Sequence, residues 1–142
     1  IDNNIELITD RLDRRSNIAH HIGSVSELTN NSVDFALTAL NFHDVYNRSS
    51  DEAHERFTEV FNVLKPGGIF GVIDHEGTSG ADNATLHRIA FDDAVKSITS
   101  MGFALTGVSD LLENPSDDHT LGPFDPSLER NTDRFVLRFI KP

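Results

Sequence analysis

Short apolar runs alternate with amphipathic stretches along this chain, and the two patterns predict strands and helices in turn. Val33-Asp34-Phe35-Ala36-Leu37-Thr38-Ala39-Leu40 and Ile69-Phe70-Gly71-Val72-Ile73 are compact runs rich in β-branched and aromatic residues, as expected of buried strands. Ile5, Ile8 and Leu12 recur at helical spacing and predict a first helix over Asn3 to Arg15. Asn17 to Ile22 reads as a short strand ending at Gly23, and Ser24 to Ser32 as a polar loop. Ser49 and Glu52 make a capping-box start for a helix reaching about Leu64, with Ala53, Phe57, Val60, Phe61 and Leu64 facing inward. Pro66 ends that helix, and Gly67 or Gly68 supplies the positive φ of the turn. A later helix runs from Phe91 to Met101, with Phe91, Val95, Ile98 and Met101 inward and Gly102 as its stop. Phe103 to Val108 and Arg134 to Ile140 read as strands. The proline-bearing segment Asp110 to Thr132 joins them as a long connection.

Strands alternating with helices argue for one α/β domain with a mostly parallel sheet. The last two strands have no convincing helix between them and are expected to pair antiparallel at one side of that sheet. In such sheets ligands bind beyond the carboxyl ends of the strands. Two polar clusters fall there. Asn41, His43 and Asp44 follow the first buried strand, and Asp74 and His75 follow the second. Histidine titrates near neutrality, which makes His43 the best candidate general base. Two histidines and two carboxylates could also hold a divalent metal, but no His-x-x-x-His helix or comparable spacing supports one, and no metal is expected.

Composition narrows the partners. Acidic residues outnumber basic ones by 23 to 12, and the net charge of -11 argues against sequence-independent binding to nucleic acid. No apolar run is long enough for a membrane span, so no membrane partner is expected and the cytoplasm is the expected location. The absence of cysteine removes disulfides and thiolate metal sites. His87 and Arg88 precede the late helix, where they could meet an anionic acceptor; Arg88 otherwise reads as a surface charge. Asp117, Asp118 and His119 read as solvated residues of a long loop that could cover an acceptor site.

Taken together, these segments resemble the class I S-adenosylmethionine-dependent methyltransferases. The resemblance rests on Val33 to Leu37, a polar helix, and then Leu64-Lys65-Pro66-Gly67-Gly68 with a strand ending in an acid. More narrowly, the chain looks like a bacterial group of small predicted methyltransferases. That likeness is carried by Asn41-Phe42-His43-Asp44, His87-Arg88-Ile89, Ser109 to Pro115 and Thr132 to Leu137. It implies a partial Rossmann-like methyltransferase fold, S-adenosylmethionine as cofactor and a small-molecule acceptor. It further implies that Asp2 binds the ribose, that Ser24 and Val25 read the adenine, and that Asn41 also lies at the donor. His43, Asp44, Asp74 and His75 would line the reacting centre. The family's glycine-rich loop is not found ahead of Asp2, so the chain is expected to be the C-terminal portion of such a domain. An unpaired edge on Val33 to Leu40 would then favour a homo-oligomer, most simply a two-fold dimer. The rival expectation is a truncated, non-catalytic domain that only self-associates.

Overall fold

The computed structural model describes residues 15–142. The predicted first helix and Asp2 therefore lie outside the described residues, except for Arg15. The main elements in chain order are β1 (Val33–Ala39), α1 (Phe42–Arg48), α2 (Ser50–Val63), β2 (Leu64–Gly77), β3 (Ile89–Ala90), α3 (Phe91–Ser100), β4 (Ala104–Ser109) and β5 (Arg134–Ile140). Single 3-10 turns stand at Val25–Glu27 and Pro126–Leu128.

The punctuation read from the sequence acts where it was expected. Ser49 caps α2 by accepting from the Glu52 N–H at 3.2 Å. The reciprocal half of the box is missing, because the Glu52 carboxylate turns to Arg48 at 3.0 Å. Gly67 adopts φ +79 in the irregular first stretch of β2, where the register with β1 shifts, and Gly102 adopts φ +103 after α3, both costly for a residue with a Cβ.

The long strands lie in the order β1-β2-β5-β4. β1 and β2 are parallel, with Phe35 opposite Ile69 and Ala39 opposite Ile73. β5 then runs antiparallel to β2, from Ile69 opposite Ile140 to His75 opposite Arg134, and antiparallel to β4 on its other side. The expectation of a mostly parallel sheet is thus corrected. The chain passes β4 at the outside and returns through β5 into the gap beside β2, so among the described residues only β1–β2 and the two-residue β2–β3 ladder are parallel. The antiparallel pairing of the last two strands does form.

α2 and α3 pack on one face of the sheet. Phe57, Ala94 and Ile98 from the helices meet Phe70, Val72, Leu137 and Phe139 from the strands in one continuous core. Along β2, Phe70, Val72 and Asp74 are buried while Ile69, Gly71 and Ile73 are half-buried. β2, expected as a buried strand, is therefore not covered on both faces among the described residues. On the open face Phe35 and Leu37 are 55% and 57% exposed. Residues Asn17 to Ile22 form no strand; they are exposed and find no ladder partner among the described residues.

Candidate functional site

β2 does not stop at Ile73. It continues to Gly77, held by β5, and this extension carries Asp74 and His75 alongside the start of α1. Asp74 faces the helix side of the sheet and is fully buried. Its Oδ2 accepts the backbone N–H of His43 at 2.8 Å, and its Oδ1 accepts the His75 N–H at 2.9 Å. The carboxylate is thus the N-terminal cap that Asn41, which makes no side-chain cap bond, does not supply to α1. Negative charge there also complements the helix dipole.

The same carboxylate orients the histidine. His43 Nδ1–H donates to Asp74 Oδ1 at 2.6 Å, which fixes the tautomer and turns Nε2 outward. Asp44 Oδ1 lies 3.2 Å from that Nε2 and 2.8 Å from His87 Nδ1. His87 is brought in by the loop after β2, which α1 pins through Asn47 Nδ2 donating to the Arg88 carbonyl at 2.8 Å. His75 completes the cluster, its ring 5.4 Å from that of His43. Its Nδ1 lies 2.6 Å from Thr132 Oγ1, which also accepts from Arg134 Nε at 3.1 Å. Burial lowers the pKa of His75 to about 4; the nearby Asp74 opposes that shift and His43 and Arg134 add to it, so His75 is neutral at pH 7.

His43, Asp44, His75 and His87 floor a cavity of about 300 Å³ at the carboxyl ends of β1 and β2. Its wall is completed by Leu40, Pro123, Phe124, Arg130 and Arg134. That volume lies at the small end of ligand sites. Three lining residues hold the left-handed backbone region without being glycine: Leu40 at φ 54, His87 at φ 50 and Arg130 at φ 67. Such strain costs of order 1–3 kcal/mol per residue and concentrates at functional sites.

The structure brings together His43, Asp44, Asp74 and His75, and adds His87; Asp74 lies buried behind His43 and is not part of the cavity lining. Donor atoms of His43, Asp44 and His87 all lie within 4.8 Å of one another, close enough for the three to converge on one metal ion. Ser24, Val25 and Asn41 lie outside the cavity lining. Ser24 caps the turn Val25–Glu27, and its hydroxyl donates to Glu59 Oε2 at 2.6 Å. Asn41 is exposed at the exit of β1. Asp2 is outside the described residues.

Two sequence readings need correction. Arg88 is not a surface charge but fully buried, and Asp117 is not solvated but its bidentate partner at 2.8 and 3.0 Å. Arg88 also donates to the carbonyls of Leu121 and Glu76, so it ties the long connection to the end of β2. Sequence reading missed Leu40, Phe124, Arg130 and Arg134. Only the run of prolines signalled that the long connection follows a fixed path over the site.

No protein-family model matches this chain, and no curated protein sequence matches it. Solved structures do. A S-adenosylmethionine-dependent methyltransferase from Aquifex aeolicus superposes with a TM-score of 0.61 at 14% identity, covering 94% of this chain and 61% of that one. One from Methanosarcina mazei gives 0.57 at 16%, covering 85% and 66%. The chain has the methyltransferase type of α/β fold. The cyclase SpnF shares it as well, at a TM-score of 0.60 and 19% identity over 86% of this chain and 55% of that one. The chain spans about three-fifths of the length of the structures it matches. A fold that also serves a cyclase does not by itself fix a reaction.

Proposed function

We propose that this chain takes part in S-adenosylmethionine-dependent methyl transfer to a small-molecule acceptor bound in the cavity. The observation that carries this reading is the buried Asp74–His43 pair, aimed with its open Nε2 into a small cavity at the strand ends. When bound, S-adenosylmethionine supplies a methyl group on a sulfonium, so the protein's task is to align and deprotonate an acceptor. His43 takes the acceptor proton on Nε2, and that proton then lies between the ring and Asp44 Oδ1. Asp74 holds the ring in the required tautomer and caps the helix that carries it. His75 is neutral and bounds the site, and His87 holds Asp44 in place.

The donor side is assigned to Asp2, Ser24, Val25 and Asn41. Their chemistry fits in part. The Val25 N–H makes no hydrogen bond among the described residues, and the Asn41 amide is equally open, whereas the Ser24 hydroxyl is already taken by its own turn and Glu59. The backbone of Val25 is therefore the stronger adenine contact.

Calorimetric titration of the chain with S-adenosylmethionine and with its demethylated product tests the reading. Saturable binding of either is expected; a folded chain that binds neither would sink it. A second reading, self-association, is favoured by the exposed Phe35 and Leu37 beside the edge of β1 that carries no strand among the described residues. A dimer is expected in sedimentation, and a monomer mass that holds at all concentrations would exclude it.

A further inference from the structure

We propose that the acceptor is a small anion, whose carboxylate or phosphate is held by Arg130 and Arg134 while its reacting hydroxyl or amine faces His43. The proposal rests on the reading of this cavity as an acceptor site and names the chemistry it selects.

Charge is the first argument. In a chain of net charge -11, two guanidinium groups line one small cavity. Among the described residues neither forms an ion pair, and both line the same cavity. The cavity's single lining carboxylate, Asp44, is already engaged by His87. No lining group therefore neutralises the arginines, and an anionic ligand would.

Placement is the second. Arg130 sits at φ 67 directly after Glu129 at φ 48, a pair of left-handed residues that closes the turn with the Asn131 N–H donating to the Leu128 carbonyl at 2.7 Å. The turn sets the Arg130 guanidinium 4.9 Å from the centre of the Phe124 ring. A guanidinium over an aromatic face keeps its N–H edge available for a carboxylate or phosphate. Arg134 is held from behind, through Nε to Thr132 Oγ1 and a second N–H to the Arg130 carbonyl, so both side chains belong to one assembly. Phe124 and Leu40 are exposed large apolar residues at the cavity and offer a surface to an apolar body. A small ring or chain carrying an anionic group and a nucleophile matches all of these features.

The full chain, with no methyl donor present, would be titrated with para-hydroxybenzoate, phenyl phosphate and the neutral para-hydroxybenzamide. Calorimetry and the arginine side-chain NMR signals would read binding. Saturable binding of at least one anion is expected, with the amide about tenfold weaker or worse, as loss of a charge-assisted bond implies. Whichever anion binds tighter identifies carboxylate or phosphate as the recognised group. Arg130→Gly should lose the anion about tenfold while its melting temperature stays level or rises, since Arg130 is exposed and glycine suits its backbone. Arg134→Gln should weaken the anion in the same sense. Equal affinity for the amide, undiminished anion binding in Arg130→Gly, or no saturable binding of either anion would overturn the proposal. Because no donor is used, anion binding without S-adenosylmethionine binding would sink the methyl-transfer reading alone.

Discussion

Two buried ionisable pairs stand close together in this molecule, and they differ in one respect. Arg88 with Asp117 and His43 with Asp74 are each almost wholly removed from solvent. The first pair is saturated. Arg88 spends its donors on both Asp117 oxygens and two carbonyls, and Asp117 also accepts the N–H groups of His119 and Asp133. Burial would raise the Asp117 pKa, but those two N–H bonds and the Arg88 guanidinium hold it below the usual carboxylate value. In the second pair Asp74 is saturated too, but His43 keeps Nε2 turned to the cavity. Burial of a charged group marks a structural joint when every valence is met within the protein. It marks a site when one valence is left facing an opening.

The largest effect is expected at the saturated pair. Arg88→Met leaves the Asp117 carboxylate buried and uncompensated and should cost about 3–5 kcal/mol in denaturant unfolding. Adding Asp117→Asn should return part of that loss. A loss below about 1 kcal/mol would show that the long connection does not depend on this pair. The open pair should behave in the opposite way. Under the proposed methyl transfer, His43→Ala should reduce the rate by about 10²–10⁴-fold. Its melting temperature should fall far less than that of Arg88→Met, because Asp74 still caps α1 through the backbone. On the proposed reading, Asp74→Asn should lower activity with a changed pH profile, because Asp74 would orient the ring without meeting the acceptor. If His43→Ala retained full activity with an acceptor found by screening, the base would lie elsewhere.

The contrast also explains what the sequence could reveal. Local signals were legible. The Ser49 cap, the Gly67 turn, the Gly102 stop and the strand Arg134–Ile140 depend on neighbours within a few residues. Asp74 and His43 could be nominated because each follows a buried apolar run, and strand ends are where sites form. Their partnership could not, because it depends on β2 extending to Gly77 beside the start of α1. Arg88 was misread for the same reason. Its partner Asp117 lies in an irregular connection, and nothing periodic announces that the two meet. The insertion of β5 between β2 and β4 is equally silent, since an apolar strand pattern does not specify its neighbours. Arg130 and Arg134 reach the cavity only through that insertion.

His75 sharpens the boundary between the two kinds of site. It is 6% exposed, next to the open pair, and its Nδ1 is met by Thr132. Its folded pKa, about 4, lies below the unfolded value near 6.5. Between these values the unfolded chain binds a proton that the folded chain refuses, so stability falls as pH drops through that window. The loss should reach about 3 kcal/mol near pH 4 and vanish above pH 7. His75→Gln should flatten this part of the stability–pH curve. A slope unchanged by the substitution would assign the acid sensitivity to other groups.

The smallest effect separates strain that serves the cavity from strain that serves only a turn. Glu129 and Arg130 are consecutive left-handed residues, but only Arg130 lines the cavity. Glycine at either position removes the Cβ penalty and adds chain entropy to the unfolded state, so the two terms partly cancel. Glu129→Gly should therefore stabilise the fold by no more than about 1 kcal/mol and leave ligand binding intact. Arg130→Gly relieves the same kind of strain and should show a similar gain, but with loss of the anion. Thermal unfolding and anion titration of the two variants side by side make the test. If Glu129→Gly weakened the anion as much as Arg130→Gly, the turn as a whole would be what the ligand reads, and the Arg130 side chain would lose its special place.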